Sequence, residues 1–129
     1  MKALLDTHVF LWAASAPEHL AAPALRAIED RSNDIFVSAA AAWEISIKTA
    51  LGKLVIPGDP ATWFPSRVRS LGFDVLAIDA LHALATRALP RIHADPFDRI
   101  MIAQAQLEGL TFITRDPMNL QYPVALLEA

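Results

Sequence analysis

Four segments of this sequence carry acidic side chains where a carboxylate could do chemistry. Asp6 and Asp116 follow short apolar runs, Glu44 lies within a helical pattern, and Asp95 and Asp98 stand at the start of another. Carboxylates that converge repel one another unless cations neutralise them, and sites made only of oxygen ligands suit Mg²⁺ or Mn²⁺. Two such ions about 4 Å apart can activate water and stabilise the leaving oxygen when a phosphodiester is hydrolysed. These acids therefore indicate a metal-dependent hydrolytic site.

Each acid also has an ordinary structural explanation. Asp6 precedes Thr7 and a helical pattern, so it can simply be an N-cap. Glu44 and Lys48 form an i, i+4 pair of the kind found on solvated helix faces, and Asp116 precedes a proline, as turn residues often do. The prediction of a site rests on the common location of the acids.

The stretch DPFDRIMIAQA carries two aspartates three positions apart at the start of a helix. If Asp95 is the N-cap, Pro96 is the first helical residue and Asp98 the third, so both carboxylates are stabilised by the positive end of the helix dipole. We assign the helix start to Asp95 and metal binding to Asp98. Whether Asp95 also touches metal stays open at this point.

The elements that must position these acids alternate between strands and helices. This alternation predicts a single domain over residues 1–129, an α/β three-layer sandwich with a mostly parallel central sheet flanked by helices. In such sheets, ligands bind beyond the carboxyl ends of the strands. The predicted strands are Ala3–Leu5, Ile35–Val37, Phe73–Ile78, Thr111–Thr114 and Val124–Leu127; helices are predicted from Ser38 to Gly52, from Asp59 to Leu71, from Asp79 to before Pro90 and from Asp95 to Gly109.

Helical spacing after Ser38 also places an apolar stripe on one helix face, with Glu44 and Lys48 beside it. The stripe consists of Trp43, Ile47, Ala50, Leu51 and Leu54. Aromatic candidates for an apolar partner surface are Phe10, Trp12, Trp43, Trp63 and Phe64.

Composition narrows the class of protein. The chain has 129 residues, a formal net charge of -3, 54% hydrophobic residues and no cysteine. It is therefore not disordered, has no disulfide framework or thiol nucleophile, and is not a generally basic nucleic-acid-coating protein. The apolar N-terminal segment is interrupted by Asp6 and His8 and is too short for a membrane span, so we expect an unprocessed, soluble, cytoplasmic protein with no membrane contact.

Four motifs in order resemble the PIN domain family, and specifically its VapC-like ribonuclease toxins of type II toxin-antitoxin pairs. They are LLDTH at 4–8, SAAAAWEISIKTALGKL at 38–54, HADPFDRIMIAQA at 93–105 and LTFITRD at 110–116. The resemblance covers nearly the whole chain. It implies a small α/β sandwich that acts as the toxin of such a pair, an endoribonuclease in which a quartet of acids holds divalent metal.

Carried onto this sequence, the resemblance makes Asp6, Glu44, Asp98 and Asp116 the metal-binding and catalytic residues, with Mg²⁺ or Mn²⁺ as the cofactor. It also implies a cognate antitoxin protein as partner, besides the RNA substrate, and a homodimer is compatible with the apolar composition. Thr7, Ser38 and Thr114 match hydroxyl positions near the family's site. Three positively charged residues near the acids are candidates for phosphate binding: Lys48, Arg99 and Arg115. His93 is a candidate general base.

Two other classes remain as alternatives. A catalytically silent PIN-like scaffold would bind proteins without metal, and an intact acid quartet argues against it. A phospho-receiver module would need an acid pair after the first strand and a lysine after the fifth. Asp6 is followed by Thr7, and Leu127 by Glu128, so neither requirement is met.

Overall fold

The computed structural model describes all 129 residues and has a five-stranded, wholly parallel sheet at its centre. The α/β fold class is thereby confirmed. The strand order is β3-β2-β1-β4-β5, so β1 lies in the middle and pairs with β2 and β4. The strands are β1 (Lys2–Leu5), β2 (Asp34–Ser38), β3 (Asp74–Leu76), β4 (Thr111–Thr114) and β5 (Leu126–Glu128).

Six α-helices connect and cover these strands. They are α1 (Thr7–Ser15), α2 (Ala22–Glu29), α3 (Ala39–Ala50), α4 (Pro60–Leu71), α5 (Ala80–Ala85) and α6 (Pro96–Glu108). All except α2 begin at a side chain that accepts a main-chain N–H of the first turn, as N-caps do: Asp6, Ser38, Asp59, Asp79 and Asp95. None of the helices has the length and apolar character needed to span a membrane.

The hydrophobic core occupies both faces of the sheet. Successive residues of a strand point to opposite faces, so Ala3 and Leu5 join one cluster with Phe10 and Phe64, while Leu4 joins the other. The second cluster contains Met101 and other residues of α6. The two clusters make the molecule the three-layer sandwich that the alternation of elements predicted.

The edge strands differ from their predicted bounds. β3 covers Asp74–Leu76 and not Phe73–Ile78. Its pairing with β2 ends at Ser38 and Leu76, and the carbonyl of the next residue, Ala77, accepts a hydrogen bond from the Gln104 side chain at 3.2 Å. β5 lies at Leu126–Glu128, two residues later at its start than predicted. Helix α2 was not predicted.

Helix α3 does not bury the apolar stripe. Trp43 and Leu51 are 61% and 62% exposed, whereas Ala40 and Ala41 are fully buried against the sheet. Small side chains allow the helix to approach the sheet closely. With the alanine face of α3 against the sheet, Glu44 lies in the interior and is 6% exposed. Among the aromatic candidates for an apolar surface, Phe10 and Phe64 are core residues, Trp12 and Trp63 are half-buried and Trp43 is exposed.

Candidate functional site

The acids predicted from the sequence meet in one cleft at the carboxyl edge of the sheet. Its volume is about 400 Å³, and nine residues line it: Asp6, His8, Trp12, Glu44, Lys48, Asp95, Asp98, Arg115 and Asp116. A cavity of about 430 Å³ at the opposite edge, lined by Leu25, Ile28 and Phe73 among others, is similar in size but does not face the acids. The convergence of carboxylates thus distinguishes the first cleft.

Asp6 directly follows the central strand and is held by three hydrogen-bond donors. The Thr114 hydroxyl donates to Oδ2 at 2.6 Å, the Asn119 amide to the same oxygen at 3.3 Å, and the main-chain N–H of His8 to Oδ1 at 3.3 Å. The last of these bonds makes Asp6 the N-cap of α1, so capping and membership of the site coexist. Burial raises the pKa of Asp6, and the Thr114 hydrogen bond opposes that rise.

Glu44 brings a buried carboxylate with one oxygen unsatisfied. Its Oε2 accepts a hydrogen bond from Lys48 Nζ at 2.6 Å, and this bond raises the pKa of the lysine. Oε1 is buried and has no hydrogen-bond partner. A buried polar atom left unpaired costs about 1 to 3 kcal/mol, so Glu44 offers an oxygen that a further group would stabilise.

Asp98 is a second acid whose charged form is disfavoured in the cluster. Burial, followed by the charges of Asp6 and Asp95, raises its pKa to about 7, while a hydrogen bond to His93 and the nearby amide of Asn119 act in the opposite direction. The Asp98 Oδ2 and His93 Nε2 atoms are 3.1 Å apart. His93, which the sequence offered as a candidate general base, thus contacts a member of the acid cluster.

Asp95 is the N-cap of α6, as predicted. Its Oδ1 accepts the main-chain N–H groups of Phe97 at 2.9 Å and Asp98 at 3.2 Å. Both of these hydrogen bonds use Oδ1, and the side chain also lines the cleft. Its role in capping therefore does not decide whether it also contacts metal.

Asp116 closes the cluster from the segment after β4. Its Oδ1 accepts the main-chain N–H of Met118 at 2.8 Å, and its own main-chain N–H donates to the Thr114 hydroxyl at 3.2 Å. One ligand atom from each of His93, Asp98 and Asp116 lies within 4.8 Å of the others. Thr114 thus connects the loop that bears Asp116 to the side chain of Asp6.

The cleft fits a divalent cation on three grounds. Its acids offer only oxygen ligands, Glu44 Oε1 is buried without a partner, and burial together with neighbouring negative charge raises the pKa of Asp98. Hard divalent ions take carboxylate ligands, and a bound cation would offset both the unpaired oxygen and the repulsion between the acids. Asp6, Glu44, Asp98 and Asp116 are the residues that could hold it.

Two of the three predicted hydroxyl positions do not reach the cleft. The Ser38 hydroxyl is buried and donates to Gln104 Oε1 at 2.6 Å, and that of Thr7 lies 4.0 Å from Met101 Sδ. Both hydroxyls are therefore turned into the core in this structure, and a role for either in the site stays a prediction. Only Thr114 bonds to a carboxylate of the site.

Of the predicted phosphate-binding residues, Lys48 and Arg115 line the cleft and Arg99 does not. The Arg99 guanidinium donates to four carbonyl oxygens and to the Tyr122 hydroxyl, and the carbonyls belong to Thr86, Leu89, Pro90 and His93. These bonds hold its guanidinium against the preceding loop, so a contact of Arg99 with phosphate stays a prediction. Arg115 bonds to the His19 carbonyl at 3.0 Å and lies over the Trp12 ring at 5.3 Å.

Three residues of the site were not predicted from the sequence. His8 is exposed and lines the cleft, Asn119 is fully buried and bonds to Asp6, and Tyr122 bonds to His93 at 2.7 Å. The only feature of the sequence that could have indicated Asn119 is its position, a polar residue three places after Asp116. Nothing local marked Tyr122 as different from a core aromatic residue.

Comparison with known proteins decides the family. A model of the PIN domain matches residues 3–122, which is nearly the whole chain. The chain belongs to the PIN domain family. Within that family, 61 residues are 45% identical to Ribonuclease VapC16 of Mycobacterium tuberculosis, and this match covers 47% of the present chain and 43% of that protein.

Solved structures share the fold of this PIN domain at low sequence identity. A chain of VapBC2 from Rickettsia felis, bound to a DNA fragment from the promoter, is 14% identical with a TM-score of 0.70 over 99% of this chain and 98% of that one. A chain of a toxin-antitoxin complex from Klebsiella pneumoniae is 20% identical with a TM-score of 0.64 over 97% and 95%. These likenesses support the fold assignment.

Proposed function

We propose that this PIN domain is a divalent-metal-dependent endoribonuclease that acts as the toxin of a toxin-antitoxin pair. The observation that carries the proposal is the convergence of four carboxylates on one cleft, with an unsatisfied buried oxygen on Glu44. The 45% identity to Ribonuclease VapC16 over 61 residues supports the same reaction class. Mg²⁺ and Mn²⁺ are the proposed cofactors because the ligand set contains only carboxylate oxygens.

The residues of the chain have distinct roles in this proposal. Asp6, Glu44, Asp98 and Asp116 hold the cation, and when bound it supplies the positive charge that activates water and stabilises the leaving oxygen. Asp6 is oriented by the Thr114 hydroxyl and the Asn119 amide. The chain thus contributes fixed geometry, because its ligands come from separate elements and are held by neighbouring donors.

The rim of the cleft suits single-stranded RNA. Lys48 and Arg115 place positive charge beside the acids, where they can bind phosphate, and Trp12 offers a half-buried ring on which a base can stack. Exposed phosphates and unpaired bases enter such a cleft more readily than a duplex does. We therefore propose loops or single strands as the substrate.

A toxin also needs a partner that neutralises it. We propose a cognate antitoxin protein and a homodimer, both in the cytoplasm. Exposed apolar side chains on α3 and at its C-terminal end supply surface for such contacts: Trp43, Ile47 and Leu51 are 61%, 37% and 62% exposed. The similar chains from Rickettsia felis and Klebsiella pneumoniae were solved in VapBC and toxin-antitoxin complexes.

Cleavage of RNA by the purified full chain tests the proposal. We expect cleavage with Mn²⁺ or Mg²⁺, none with EDTA, and a loss of at least about a hundredfold in Asp6→Asn and Asp98→Asn, in line with the large contribution of metal ligands. Asp74→Asn, which neutralises an exposed acid outside the cleft, is the matched control and should cut normally. Equal cleavage by all variants would refute the nuclease, and failure to bind Mn²⁺ would favour a silent scaffold.

A further inference from the structure

Behind the cleft, four side chains form a closed chain of contacts. Asp98 Oδ2 lies 3.1 Å from His93 Nε2, and His93 Nδ1 lies 2.7 Å from the Tyr122 hydroxyl. Arg99, the residue after Asp98, donates from NH1 to the same hydroxyl at 3.1 Å. The chain therefore begins and ends on adjacent residues of α6.

The donors around Tyr122 determine where the protons lie. Its hydroxyl oxygen receives hydrogen bonds from Arg99 and, at 3.4 Å, from the main-chain N–H of His93, and neither group can accept one. The hydroxyl proton then has a single acceptor among its neighbours, which is Nδ1 of His93. A neutral imidazole that accepts at Nδ1 carries its own proton on Nε2, the nitrogen that faces Asp98.

The distances alone would allow His93 to be either a metal ligand or a hydrogen-bond donor to Asp98, and the position of the proton distinguishes these two roles. Its ring nitrogen lies within 4.8 Å of ligand oxygens on Asp98 and Asp116, as a metal ligand could. A protonated Nε2 has no lone pair for a metal, whereas it can donate a hydrogen bond to Asp98 Oδ2. The surroundings of Tyr122 thus favour the donor role.

We propose that Tyr122 is a positioning residue that fixes His93 as the Nε2–H tautomer, so that His93 orients the Asp98 carboxylate and does not itself bind metal. The inference rests on the proposed function only in taking Asp98 as a metal ligand. Arg99 completes the arrangement, since its bonds to the carbonyls of Pro90 and His93 fix the loop that carries the imidazole. Tyr122 is 3% exposed, so water does not compete for its hydroxyl.

The tautomer can be read by NMR of protein labelled with ¹⁵N at histidine, without metal. We expect the Nε2–H pattern for His93 in the wild type and in Asp98→Asn, and its loss in the double variant Asp98→Asn/Tyr122→Phe. His82 is an internal reference, because its Nδ1 accepts the Asp79 main-chain N–H and its Nε2 faces Glu108. A change of tautomer in Asp98→Asn alone, or an unchanged pattern in the double variant, would overturn the proposal.

Mn²⁺ titration by calorimetry tests the positioning role. Loss of an outer hydrogen-bond partner of a metal ligand typically lowers metal affinity by about 10-fold or more, and we expect a loss near that lower bound in Tyr122→Phe. His93→Gln should bind Mn²⁺ nearly as well as the wild type, because the glutamine amide nitrogen donates from about the position of Nε2. Adding Tyr122→Phe to His93→Gln should then cost little.

The alternatives give different results in the same titration. If His93 were a ligand, His93→Gln would lose as much affinity as Asp98→Asn. If Tyr122 served packing alone, Tyr122→Phe would lower the affinity for Mn²⁺ by the same factor whether position 93 holds histidine or glutamine. Neither the NMR measurement nor the titration uses RNA. If the wild type cuts RNA but the tautomer and the Mn²⁺ affinities differ from those expected, the positioning role is refuted and the nuclease proposal still stands.

Discussion

Asp98 combines two local influences that act on its charge in opposite directions. It lies in the first turn of α6, where the helix dipole favours a carboxylate. It is also buried beside Asp6 and Asp95, and these surroundings raise its pKa to about 7. A metal ligand must be ionised, so binding of a cation at this site competes with binding of a proton.

Protonation of Asp98 should make the stability of the metal-free protein depend on pH. Because the folded pKa of about 7 lies above the ordinary value of 3.8, the folded state binds the proton more tightly than the unfolded state. The resulting stabilisation is complete below about pH 4 and is lost as the pH rises towards 7. Urea unfolding in EDTA at several pH values should show this fall.

Asp98→Asn provides the control for that titration. An amide carries no charge at any of these pH values, so the variant should lose less stability between pH 5 and 8 than the wild type does. The buried Asp6, whose pKa is also raised, should leave some dependence of the same sign. A wild type whose stability rises over this interval would contradict the assignment.

Lys48 balances the buried charge of Glu44, and its removal should reveal how much that balance matters. We expect Lys48→Met to lower the free energy of unfolding by about 1 to 2 kcal/mol in EDTA, less than for a fully buried pair, since the lysine is 41% exposed. The loss should shrink with Mn²⁺, which supplies positive charge to Glu44. Lys53→Met, at an exposed position, is the matched control, and an equal loss in both would count against the pairing.

At the level of the elements, one side chain, Asp95, accepts two main-chain N–H groups in the first turn of α6. Asp95→Ala removes both acceptor contacts to the first turn and should cost about 1 kcal/mol in urea unfolding, whereas Asp95→Asn keeps an acceptor and should cost less. Asp95→Asn should also keep substantial RNA cleavage, while Asp98→Asn should not. Equal loss of cleavage in the two asparagine variants would show that Asp95 is a ligand too.

The strands and helices show which part of the fold local patterns can predict. The central strands β1, β2 and β4 lie within one residue of their predicted bounds, because burial on both faces requires an apolar run that the sequence reveals directly. The edge strands β3 and β5 have one neighbour each, so side-chain contacts such as Gln104 to Ala77 shift their bounds. Periodicity also identified the apolar stripe on α3. It did not show that the small side chains of Ala40 and Ala41 face the sheet while Trp43 faces solvent.

The same limit applies to the site. Asp6, Glu44, Asp98 and Asp116 were predictable as a group because the carboxyl ends of parallel strands share one edge. Asn119 and Tyr122 were not, because their partners Asp6 and His93 lie 113 and 29 residues away in the chain. For Arg99, the sequence shows that it follows Asp98 but not that carbonyl oxygens of the preceding loop accept hydrogen bonds from its guanidinium.

For the molecule as a whole, the site joins elements from both ends of the chain, so metal should stabilise the entire fold. Binding to the folded state alone contributes about 2.7 kcal/mol when free metal exceeds its Kd a hundredfold. We therefore expect Mn²⁺ to raise the melting temperature by several degrees in thermal unfolding. Asp116→Asn should reduce that shift, and the same shift in both proteins would place the bound ion elsewhere.

The central position of β1 also has a consequence during protein synthesis. Its neighbours include β4, and the Asp6 side chain is held by Thr114, 108 residues further along the chain. A growing chain on the ribosome therefore carries its first acid long before the strand that completes the cleft exists. The proposed cleavage of RNA must then wait until residues through Asp116 have emerged, and a chain that stalls before that point has no assembled cleft.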